Sequence, residues 1–277
     1  MAESDTCAAE SKLAPAVYIV GAGPGDPELI TVKGQRLLAQ ADVVVYANSL
    51  VPVQMLAAVR PDAERIGTAN LTLEKIVALM VERVRDRKSV VRLHDGDLTL
   101  YSALNEQLQG LIAAEIPFEV VPGVSAFQAA AAKLPLELTV PEVVQTIILT
   151  RISGRTRVPA AEELASLAAH RASLCLYLSA RHVDNAQACL LEHYPAETTV
   201  AVCYRVGWPD EKIWLVPLRE MAALTQQESL IRTTLYLISP AFDRRPTEAS
   251  GAEAMLRSQL YSPGHSHLFR PTSSADG

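Results

Sequence analysis

Short apolar runs alternate along the chain with segments whose apolar positions recur at helical spacing. Residues 17–20, 43–46, 89–93 and 118–121 are Val-rich runs that read as strands buried on both faces. Between them, Leu73, Ile76, Val77, Met80 and Val84 repeat at helical spacing and predict a helix over 71–85. Thr31 can cap a helix that runs to about residue 40. Further helices are expected over 103–113 and through the alanine-rich stretch ending at 132. Strands alternating with helices imply a largely parallel sheet covered on both faces.

Two prolines, Pro135 and Pro141, interrupt regular structure between 133 and 145, where a boundary is expected. A second α/β pattern follows, with strands at 146–150, 173–178 and 235–239 and helices at 160–170, 184–193 and 219–224. The apolar runs 199–206 and 212–218 flank the short segment GWPDEK, as in an antiparallel hairpin, so this second sheet is mixed. The expected organisation is a tail over 1–15, α/β domains over 16–135 and 136–242, and a polar tail over 243–277.

Composition narrows the partners. Lys and Arg number 25 against 31 Asp and Glu, a net charge of -6, which opposes a ligand held mainly through phosphates. Aromatics at 5% leave few stacking platforms for nucleic acid, so none is expected as a partner. No apolar run approaches the ~20 residues of a membrane helix. The first fifteen residues are polar and acidic, unlike a secretory signal, and a cytoplasmic protein is expected. The four cysteines, Cys7, Cys175, Cys189 and Cys203, form no close pair, and Cys175 and Cys203 read as buried thiols. His265 and His267 form an HxH pair without accompanying Cys or acidic ligands, and no metal is expected.

Three loops at strand ends carry the candidate chemistry. The first, GAGPGD at 21–26, fails the dinucleotide fingerprint: its sixth position is Asp26, Pro24 lacks an amide, and the second strand ends in Tyr46-Ala47-Asn48 without an acid. A tight turn is the plain alternative. The second loop, RLHDGDLTLYS at 92–102, places Gly96 where backbone can approach a ligand. Asp97 there reads as a ligand acceptor or as a turn cap. His94 reads as a proton shuttle or as a solvated loop residue. The third, PGVSAF at 122–127, offers Ser125 as a contact or only as a helix cap.

GAGPGDPELIT, RLHDGDLTLYS and VVPGVSAFQAAAA resemble, in order and spacing, the tetrapyrrole (corrin and porphyrin) methylases, over about residues 16–240. The junction LPLELTVPEVVQTIILTRISGRTRVP and the tail LYSPGHSHLFRP are similar to the precorrin-4 C-11 methyltransferase group of that family. Leu98 and Ser102 depart from the family's proline and glycine. The resemblance implies two α/β domains with a cleft between them, a homodimer, and methyl transfer from S-adenosylmethionine to a tetrapyrrole carbon. It implies cofactor contacts at Pro24, Asp95, Gly96, Asp97, Leu100, Ser125 and Ala126, and in the second domain at Leu178, Val206, Thr234 and Leu235. Arg151, Arg155 and Arg157 follow a predicted strand and suit the carboxylates of a precorrin; a solvated loop, or pairing with Glu162 and Glu163, is the alternative. No catalytic side chain is assigned. An rRNA methylase of the same fold and a non-catalytic nucleotide-binding module are the rival readings.

Overall fold

The structure, a computed structural model, describes residues 12–154 and 156–245. Its contacts divide the chain into two units: residues through Ala129 together with Arg205–Glu211, and Ala130–Tyr204 together with the chain from Lys212.

The first unit holds β1 (Val17–Gly21), α1 (Val32–Gln40), β2 (Val43–Tyr46), β3 (Glu64–Gly67), α2 (Leu73–Arg85), β4 (Val90–His94), α3 (Leu104–Ala113) and β5 (Phe118–Val121). α4 (Ala126–Lys133) begins in it. The strands form one all-parallel sheet in the order β3-β2-β4-β1-β5. Alternation sends Val17 and Ile19 into a core with Met80, Leu98 and Leu111, and Tyr18 and Val20 into another with Leu37, Leu38 and Leu93. β1 and β4 are therefore buried along their whole length. Thr31 caps α1 by accepting from the Gly34 amide at 3.1 Å, worth about 1 kcal/mol. β3 escapes the apolar pattern because its burial is only partial and alternating. It is held from outside by a two-pronged Arg83–Glu64 pair, both bonds 2.9 Å.

The second unit holds β6 (Ile147–Arg151), α5 (Leu164–Ala168), β7 (Ser173–Tyr177), α6 (Val183–Leu191), β8 (Thr199–Tyr204), β9 (Lys212–Pro217), α7 (Met221–Gln227) and β10 (Thr234–Ile238). The sheet order is β6-β7-β10-β8-β9. β6 and β7 are parallel, β10 runs antiparallel to β7 and β8, and β8–β9 is the expected hairpin. Central β10 is wholly buried, and its Tyr236 hydroxyl lies 3.1 Å from Thr225 Oγ1. The expected helix at 160–170 is shorter than its pattern: a 3-10 turn at Ala160–Glu162 precedes α5. Cys175 and Cys203 are buried, and burial pushes the Cys175 thiol up to about 12. No helix among the described residues is long and apolar enough to cross a membrane.

Candidate cofactor site

Because β4, β1 and β5 are adjacent and parallel, their carboxyl ends deliver the three loops to one edge of the first sheet. The first two loops continue pairing beyond the strands. Ala22 N donates to His94 O at 2.7 Å, Gly23 N to Gly96 O at 3.1 Å, and Gly96 N to Gly23 O at 2.8 Å. The third loop closes on both. A Cβ on Gly21 would lie 2.6 Å from Gly123 N and 2.8 Å from Gly96 O, so no side chain fits at this junction. Gly96 itself takes φ +60° and a Cβ there would meet nothing within 4 Å, so space is open on that side while its N–H and C=O stay paired with Gly23. Gly21 and Gly23 thus allow close backbone apposition. Pro24 is buried in this loop.

Asp97 ties the platform together. Its Oδ2 accepts from Gly123 N at 2.9 Å, and its Oδ1 accepts from Thr99 N at 3.0 Å and from the Thr99 hydroxyl. It is a turn cap and also the link between second and third loops. Burial works to raise its pKa, but the Thr99 hydroxyl and the Gly123 and Thr99 amides outweigh it and hold the carboxyl below its ordinary value. Leu98, at the family's proline position, is fully buried with Ile19 and Leu111 and anchors the loop by packing. Ser102 donates its hydroxyl to Leu98 O, and Tyr101 and Ala103 take left-handed φ of 56° and 55° on either side of it. Leu100 is half-buried, its amide donating to Asp97 O at 3.3 Å. Ser125 precedes α4; its carbonyl accepts from Gln128 N and Ala129 N, and its amide donates to Gln128 Oε1 at 2.9 Å. Ala126 is the first residue of α4.

Beneath the second loop lies a buried polar cluster. Arg92, 5% exposed, donates through Nε to Gln107 Oε1 at 3.1 Å and through Nη1 to Val45 O at 3.4 Å. His94 is not the solvated loop residue that the sequence suggests: it is the buried last residue of β4, with Nε2 3.4 Å from Gln107 Oε1. Burial and the neighbouring Arg92 charge push its pKa down to about 3 against the Gln107 bond, which favours the neutral imidazole. Burial also lowers Arg92 to about 10, opposed by Asp95, and raises Asp95, opposed by its own backbone amide and by Arg92.

In the second unit, β6, β7 and β8 end where β10 begins, because Arg151 is in register with Tyr177 and Thr234 with Tyr204. Leu178 follows β7 in a left-handed conformation, φ 53°, and is 65% exposed. Thr234 and Leu235 are buried at the start of β10. Val206 lies past the end of β8, not within it as the apolar run predicts. Arg205 takes φ 49° and stops the strand at Tyr204; Val206 is buried in the turn that groups with the first unit. The Arg151 guanidinium donates to Thr156 O at 2.9 Å and Arg157 O at 3.3 Å, closing its own loop, while Glu163 accepts from the Ser153 hydroxyl at 2.9 Å. Arg157 is exposed. Arg155, Cys7, His265 and His267 lie outside the described residues. Among those described, no group of three or more His, Cys, Asp or Glu could hold a metal ion.

Fold and site together define an α/β protein that presents a glycine-lined main-chain platform at the carboxyl edge of a parallel sheet. The family model for Tetrapyrrole (Corrin/Porphyrin) Methylases matches residues 16–222, and the chain belongs to that family. It is 44% identical over 255 residues to the precorrin-4 C(11)-methyltransferase of Pseudomonas aeruginosa, covering 92% of this chain and 98% of that one. Among solved structures, it is similar to a cobalt precorrin-4 methyltransferase of cobalamin biosynthesis, with 42% identity and TM-score 0.80 over 83% of this chain and 96% of that one. It is also similar to the uroporphyrin-III C-methyltransferase of Thermus thermophilus complexed with S-adenosylhomocysteine, with 27% identity and TM-score 0.68 over 83% of this chain and 99% of that one.

Proposed function

We propose that this chain is an S-adenosylmethionine-dependent methyltransferase that methylates C-11 of precorrin-4 to give precorrin-5 in cobalamin biosynthesis. The observation that carries the reading is the end-to-end likeness to the Pseudomonas aeruginosa enzyme, at 44% identity across 98% of its length. The solved relative named for cobalt precorrin-4 supports cobalt-precorrin-4 as the alternative acceptor.

The platform fits such a cofactor. S-adenosylmethionine carries sulfonium and ammonium charges and no phosphate. The loops offer it peptide groups, an open face at Gly96 and the carboxylates of Asp95 and Asp97, with a proline in place of one loop amide. The first-unit contacts are Pro24, Asp95, Gly96, Asp97, Leu100, Ser125 and Ala126. Leu178, Val206, Thr234 and Leu235 rest on the family pattern. The bound cofactor supplies an electrophilic methyl whose departure leaves the electron pair on sulfur. The residues of this chain then have to align donor and acceptor and keep water out, which can contribute up to ~7–11 kcal/mol. Arg151, Arg155 and Arg157 are the positive run that an overall acidic protein directs at the acceptor's carboxylates. On this reading the chain works in the cytoplasm as a homodimer, and a monomer by light scattering at micromolar concentration would oppose that part.

Calorimetry with S-adenosylhomocysteine tests the reading first, with one site per chain expected. Turnover with labelled cofactor on cobalt-free and cobalt-bearing precorrin-4 then assigns the acceptor. No binding heat at millimolar ligand, or no label transfer to either acceptor, rejects it.

A further inference from the structure

The turn between β8 and β9, read from the sequence only as a hairpin connection, is packed against the first loop. Arg205 and Gly207, at φ 49° and +81°, bend the chain, and Trp208 N donates to Arg205 O at 2.9 Å. Glu211 Oε2 accepts from Gly207 N at 2.6 Å and holds the bend from the other side. The Arg205 guanidinium lies over the Trp208 ring, 4.7 Å from its centroid, and donates to Asp210 Oδ2 at 2.6 Å. The indole is therefore fixed before it meets anything else.

Its edge meets Gly25. A Cβ on Gly25 would lie 2.5 Å from Trp208 Cδ1 and 2.8 Å from its Nε1, so the ring packs directly on the loop backbone. The contact is reciprocal: a Cβ on Gly207 would lie 2.8 Å from Asp26 N. Gly25 takes φ +142°, which side chains avoid. On the carbonyl side, Gln54 Nε2 donates to Gly25 O at 3.1 Å. Trp208 also lines an open cavity of about 400 Å³ with Asn48, Val51, Pro52 and Pro209. Truncating the ring would enlarge that space and leave the loop without a wall.

We propose that Trp208 and Gln54 clamp the Pro24–Gly25–Asp26 segment, and that Trp208 is a positioning residue for the cofactor. The proposal rests on the reading above that the first loop meets S-adenosylmethionine. The clamp does not touch the reacting atoms. It fixes the backbone conformation that the ligand finds, so the ordering cost is met before binding.

The test uses the full chain and S-adenosylhomocysteine. Trp208→Ala raises the dissociation constant about tenfold. Trp208→Phe, which keeps a ring on Gly25, stays within about threefold of the parent, and Gln54→Leu raises the constant about threefold. Unaltered affinity in Trp208→Ala, with or without a lower ligand-free unfolding midpoint, makes the ring merely structural and overturns the proposal. Equal losses in the Ala and Phe variants overturn it too. If Trp208→Ala fails to fold, Gln54→Leu decides: parental affinity in that variant sinks it. A parent that binds no S-adenosylhomocysteine instead rejects the proposed function.

Discussion

Replacing Asp97 by Ala removes a side chain that ties the second loop to the third. Three donors lose their acceptor: Gly123 N at 2.9 Å, Thr99 N at 3.0 Å and the Thr99 hydroxyl. A hydrogen bond to a charged group is worth roughly 1.5–3 kcal/mol, but a donor that regains water recovers most of it. Thr99 is exposed and recovers; the half-buried Gly123 amide does so only partly. The net loss expected in cofactor affinity is therefore ~1–3 kcal/mol, against more than twice that if the bonds simply added. Asp97→Asn should fall between, because its amide keeps one acceptor and turns a donor towards another donor. Calorimetry with S-adenosylhomocysteine at neutral pH measures all three proteins. Acid adds a second handle. The folded carboxyl titrates below its unfolded value, so its stabilisation is complete above about pH 4 and is lost as pH falls through the folded value. Parental affinity in Asp97→Ala would refute the reasoning and leave Asp97 a cap for Thr99 alone.

Gly123→Ala should abolish S-adenosylhomocysteine binding, because its Cβ would overlap Gly96 O and separate the second and third loops; a variant that binds normally by calorimetry would contradict the packing. His94, held near 3, should show no imidazole titration by NMR between pH 8 and 5. Its depressed value means that acid favours the unfolded chain: the contribution to stability is complete above about pH 6.5 and falls by up to ~1.4 kcal/mol per pH unit below it, which chemical denaturation against a His94→Gln variant measures. Arg151→Ala and Arg157→Ala should raise the KM for the precorrin, more at low salt, while cofactor affinity stays at the parental value; equal KM at low ionic strength would remove the run from substrate recognition.

The fold was legible where burial is complete. β1, β2 and β4 are near-continuous apolar runs because the parallel sheet buries them; edge strand β5 is apolar too, although Phe118 and Val120 are exposed, and the loops after β1, β4 and β5 carried motifs. β3 left no such trace, since it sits at the sheet edge and is held by an Arg83–Glu64 pair made through tertiary contact. The limit of β8 was equally hidden: Val206 is as apolar as a strand residue, and only the left-handed Arg205 before it ends the ladder. At the site, the glycines were visible but their purpose was not. Spacing cannot reveal that Gly21, Gly96 and Gly123 meet one another, or that His94 turns inward to Gln107. Trp208 escaped notice because GWPDEK has the composition of a turn, and its contact with Gly25 joins residues far apart in sequence.

The most direct test of the account is the position of the transferred methyl. The chain is incubated with precorrin-4, and in parallel with cobalt-precorrin-4, and S-adenosylmethionine carrying a 13C-labelled methyl, and the product is read by carbon NMR. The account predicts one new labelled methyl, bonded to C-11, in at least one of the two products. A label at any other carbon, or on nitrogen or oxygen, or its absence from both macrocycles, would contradict it.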